Sequence, residues 1–110
     1  MANSNIDDVL NSLKGDAAAQ VKQQVQQVMT EAKGDSNAFV QSNATQLEEW
    51  LVDLSNGDLS QDEFDDLVAD QKAVAANFVL EQSVGAQQRA EALTVNLLEL
   101  AVTKVVPLLL

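Results

Sequence analysis

The chain has 110 residues, seventeen acids against six bases, and no Cys, His or Tyr; its formal charge is -11. That is the size of one domain. It excludes disulfides, thiolate nucleophiles, Cys-based zinc sites, imidazole bases and Ser–His–Asp triads. The charge argues against nucleic acid and anionic lipid surfaces, both of which need clustered Lys and Arg.

The composition is helical. Ala, Val, Leu, Gln and Glu are plentiful, with one Pro and four Gly to break the runs. Ile6, Leu10, Leu13, Ala17, Val21, Val25, Val28 and Ala32 step by three or four, the period of a helix face. Asn5 or Ser4 is placed to cap this segment. Gly15 divides it into a short N-terminal helix and a longer one over 16–33, with Gly34 as a glycine C-cap. The polar face of the longer piece is glutamine (Gln20, Gln23, Gln24, Gln26, Gln27). Its narrow Ala/Val stripe suits packing against one or two other helices.

A second long helix runs to about Leu54, capped by Asp35 or Ser36; the Thr45–Glu48 capping-box pattern offers Thr45 as an alternative start. Ser55-Asn56-Gly57 is the clearest turn in the chain. A third helix follows over 61–83, with Phe64, Leu67, Val68, Val74, Ala75 and Phe78 as its apolar face. A fourth covers 86–106, carrying Ala90, Leu93, Leu97, Leu100, Ala101 and Val105, and Pro107 is expected to stop it. No strand pairing is visible. The predicted fold is all-α. It is a single-domain bundle of about four antiparallel helices over 1–110, one of them short and N-terminal, with a helix-turn-helix elbow at 55–60.

From Glu48 to Asp70 the chain has nine acids and no base. Within this stretch, 56–64 resembles the second half of an EF-hand calcium loop. In that register, however, the upstream ligand positions fall on Val52 and Leu54, which have no side-chain oxygen. A capping box explains the same residues: Ser60 accepts from the Glu63 amide, Glu63 reaches back to the Ser60 amide, and Leu59 and Phe64 take the staple positions. The acidic elbow (Asp58, Asp62, Glu63, Asp66) remains the alternative site, for a cation or small ligand. No metal ligand set and no cofactor is otherwise indicated.

Twelve of the sixteen residues over 95–110 are apolar, counting Pro107. The segment is too short and too interrupted to span a bilayer by the ~20-residue criterion. Its tail has three destinations: its own bundle, an interface between copies, or a lipid surface. An apolar end favours an interface, with Leu93, Leu97, Leu98, Leu100, Val102, Val105, Leu108, Leu109 and Leu110 as the expected contact residues. Charged substitution at Leu98 and Val102 would test this.

Catalysis is not expected. Neighbouring carboxylates such as Glu48/Glu49 and Asp65/Asp66 point apart on a helix, and the lysines read as surface residues, Lys104 as a snorkelling one. The polar, acidic residues 1–8 do not resemble a signal peptide. The reading is therefore a non-catalytic, cytoplasmic bundle protein that acts through self-assembly or contact with another protein.

Overall fold

The computed structural model describes residues 5–110. Five helices are present among them: α1 (Ile6–Asn11), α2 (Ala18–Lys33), α3 (Ala38–Ser55), α4 (Gln61–Leu80) and α5 (Val84–Leu109). No strand occurs among the described residues. The last four alternate in direction around a common core, and α1 packs on α2 and α3.

Polar contacts between helices follow this order. Lys33 bridges to Glu48 at 2.9 Å, joining α2 to α3, and Lys72 to Glu99 at 3.2 Å, joining α4 to α5. Gln71 Nε2 donates to Asn43 Oδ1 at 2.8 Å between α3 and α4. Arg89 reaches Asp35 at 2.9 Å, tying the start of α5 to the α2–α3 loop. The core these helices enclose includes Val9, Val25, Ala44, Leu47, Leu51, Phe64, Val68, Leu97 and Leu98. Phe39 and Phe78 stack at its edge, with ring centroids 4.3 Å apart.

Several boundaries differ from the sequence reading, each for a local reason. Asn5 caps α1 by accepting from the Asp8 amide; Ser4, the other candidate, lies outside the described residues. α2 begins at Ala18, two residues later than expected, and Ala17 supplies no side-chain cap. Gly34 sits at its C-cap with φ -90, so no left-handed glycine ends it. The cap of α3 is Asn37 rather than Asp35, Ser36 or Thr45. Its Oδ1 accepts from the Phe39 and Val40 amides, while Asp35 turns to the Asn37 amide and Arg89. α4 ends at Leu80, three residues early, and Gly85 falls inside α5.

Pro107 does not stop α5. The helix bends at Thr94 (φ -122, ψ -78), whose buried hydroxyl donates to the Ala90 carbonyl at 2.7 Å. It then widens into a π-turn over Ala101–Val105, where the Val106 amide bonds to Ala101, five residues back. A proline removes one donor and clashes with the turn before it. The widened turn sits immediately ahead of Pro107, which falls near the start of the last helical turn, Val106–Leu109, where a missing donor costs least.

Candidate functional site

The two connections flanking α4 are built differently. At the first, the Gly57 amide bonds to Leu54 at 3.2 Å and the Asp58 amide to Asp53 at 2.9 Å. This is the paired 5→2 and 6→1 pattern of a Schellman C-cap, with Gly57 at φ +81 supplying the left-handed residue. The capping box follows directly: Glu63 N–H donates to Ser60 Oγ, and Ser60 N–H to Glu63 Oε1, both at 3.1 Å. Leu59 packs against the core and Phe64 is fully buried within it. Hydrogen bonds from the Ser60 amide, then the Ser60 hydroxyl, hold the Glu63 carboxyl below its ordinary value.

This geometry uses Glu63 as a cap. Among the described residues no three acidic side chains converge as metal ligands, so Asp58, Asp62, Glu63 and Asp66 are not gathered into one coordination site. Seven of the nine acids from Glu48 to Asp70 are exposed, and only Glu48 has an ion-pair partner among the described residues. The stretch is a solvated acidic surface along α3 and the first half of α4.

The second connection, Glu81–Ser83, is held by backbone bonds, with the Gln82 backbone amide on Val79 at 3.0 Å and the Ser83 carbonyl accepting from Ala86 and Gln87, but it has no side-chain N-cap. Ser83 makes no side-chain cap bond, and Gln82 Nε2 donates to the Phe78 carbonyl at 3.1 Å instead. Here the surface turns apolar. Val74 is 50% exposed, Leu80 73% and Val84 87%. Ala69, Ala73, Ala76 and Leu80, all exposed, share one stripe of α4 at helical spacing. Residues 73–80 include no charge.

The residues expected to form an interface fall into two groups. Leu93, Leu97, Leu98 and Val105 are buried in the chain's own core, because α5 is flanked by α2 and α4 together. A charge at Leu98 would therefore test folding rather than contact. Leu100, Val102, Leu108 and Leu109 are half-buried against the same core, and Leu110 is exposed. The tail is tied back: Lys14 N–H donates to the Leu108 carbonyl at 3.0 Å, and Leu108 sits beside Gly15, whose φ is +100. α5, at 26 residues, is long and apolar enough by length and composition to cross a membrane, which corrects the shorter estimate from 95–110. It is also the helix that supplies a large share of the bundle core, and a core helix meets the same criterion.

Sequence reasoning did not single out Val84 or Leu80. The available signal was the uncharged run 73–80 next to Ser83-Val84-Gly85, where a weak cap leaves the apolar flanks unclaimed. No protein-family model, curated protein or solved structure matches this chain.

Proposed function

We propose that this is a non-catalytic bundle protein that works by assembling with copies of itself, with the α4–α5 elbow as its contact surface. One observation carries the reading: of the four large apolar side chains most exposed among the described residues, Val74, Leu80 and Val84 belong to this elbow and its flanks. Leu80 and Val84 flank the connection, with Val74 six residues back on another side of α4, and exposed apolar side chains gathered at one end of a domain mark an interaction surface.

The charge distribution supports a second copy as the occupant. On α4 the nearest acid of the 48–70 stretch, Asp70, lies ten residues or ~15 Å ahead of Leu80, and the Gln71–Asn43 bond sets the α3 acids, which run from 48 in the opposite direction, further away still. That exceeds the ~8–10 Å screening length at physiological salt. Contact through this elbow keeps the two acidic surfaces apart, and Glu81 is the single acid within it.

Light scattering on a sizing column across protein concentrations tests the proposal. The chain should associate, and a Leu80→Ser, Val84→Ser double variant should be monomeric with an unchanged helical spectrum, its melting temperature matching that of the wild type at dilutions where the wild type is itself dissociated. A wild-type chain that is monomeric throughout, or association that the double variant leaves intact, removes the reading.

A further inference from the structure

Away from that elbow, α2 and α5 enclose a groove of about 370 Å³. Its floor is apolar: Val28 and Leu100 are half-buried and Leu97 is buried beneath them. Its rim is polar, formed by Gln24, Gln27, Asn96 and Lys104. None of these four side chains has a hydrogen-bond or ion-pair partner among the described residues. Apolar walls with a few unspent polar groups are the usual composition of a small-molecule site.

We propose that this groove binds a medium-chain amphipathic carboxylate, its head on Lys104 and its chain along Val28, Leu97 and Leu100. Charge selects the class. Lys33, Lys72 and Arg89 are each committed to an acid of this chain and Lys22 to the Asn11 amide oxygen. Of Lys14 and Lys104, which have no side-chain partner among the described residues, Lys104 lines this groove, and no acid does. In a chain of charge -11, an uncommitted cation beside an apolar floor distinguishes this place from the rest of the surface. The groove also has a direction. α2 and α5 run antiparallel, so Lys104 marks one end, and Glu31, one turn beyond Gln27 on α2, lies toward the other. A carboxylate is therefore favoured only at the Lys104 end, where the Gln24 amide across the groove is free to donate to it, while Asn96, eight residues or ~12 Å back along α5, lies beside the chain.

The test is an NMR titration of the ¹⁵N-labelled full chain with decanoate below its micelle concentration, at low salt, with decanol as the uncharged comparison. Saturable shifts in the amides of 24–28 and 92–104 are expected, with decanoate bound more tightly than decanol. The Lys104→Gln variant should weaken decanoate about two- to fivefold, the range of an exposed ion pair, and leave decanol unchanged. Added salt should narrow the difference between the two ligands. Shifts that never saturate, or that centre on Leu80 and Val84, overturn the site. Equal affinity for the two ligands, or a Lys104→Gln variant that still prefers decanoate, overturns the carboxylate assignment.

Discussion

The two elbows at either end of α4 perform the same architectural task, reversing the chain between antiparallel helices, and they do so by opposite means. At 56–60 the Gly57, Asp58, Ser60 and Glu63 amides all find partners within a few residues: a Schellman pair on one side, a capping box on the other. Its apolar flanks, Leu59 and Phe64, go inward. At 81–83 the side-chain bond comes from Gln82, the Ser83 hydroxyl caps nothing, and the apolar flanks, Leu80 and Val84, go outward. A turn closed by local hydrogen bonds fixes the direction of the next helix without help. The second turn has backbone bonds but no side-chain N-cap; the Arg89–Asp35 pair further along adds to them, and the turn's apolar flanks stay at the surface.

The largest expected difference between the two ends is in burial. Phe64→Ala should cost about 3–5 kcal/mol, as for a fully buried aromatic. Leu80→Ala should stay within about 0.5 kcal/mol, as for an exposed site. Urea denaturation of both variants measures the contrast, and comparable losses would mean that the second elbow is buried after all.

The turn itself comes next. Gly57→Ala places a Cβ at φ +81, where steric space is open but the left-handed backbone costs an L-residue about 1–2 kcal/mol. Ser60→Ala should cost about 1 kcal/mol through loss of the cap. Both losses should be the same in calcium and in chelator, because the residues act as caps. A Ser60→Ala deficit seen only with calcium present would restore the cation reading of this elbow.

A smaller effect is expected in acid. Asp35 is held below the ordinary carboxylate range by the Asn37 amide first and by Arg89 second, and Glu63 by Ser60. A lowered folded-state value means stability that is present above the unfolded value and lost as pH falls through the folded one. Melting temperature should therefore fall on acidification, less steeply in Asp35→Asn and Glu63→Gln variants. Parallel slopes in wild type and both variants would remove these carboxylates as the cause.

Much of the fold was legible in the sequence because it is specified locally. The Ser60–Glu63 spacing, Gly57 and the three-four apolar steps of Val21, Val25 and Ala32 each act within a turn or two of helix. The residues misread are those decided by tertiary surroundings. Leu93, Leu97, Leu98 and Val105 belong to an apolar surface broader than one stripe. Which part of it faces inward depends on where α2 and α4 settle, which spacing alone does not state. Pro107 was misread because a π-turn re-phases the helix ahead of it. The groove beside Lys104 was invisible for a related reason, since its floor comes from residues of α2 and α5 that are distant in sequence.

The Asp35–Arg89 bridge also bears on the order of folding. It joins residues 54 apart, whereas the α2–α3, α3–α4 and α4–α5 hairpins each form over short loops. Local hairpins lose little entropy on closing, and a contact across the ring must wait for them. Such a late contact is absent from the folding transition state, so its removal changes the unfolding rate and leaves the refolding rate as it was. Arg89→Gln is then expected to raise the unfolding arm in a stopped-flow experiment without changing its slope or the refolding arm, and that bridge acts as a latch on the lifetime of the closed bundle.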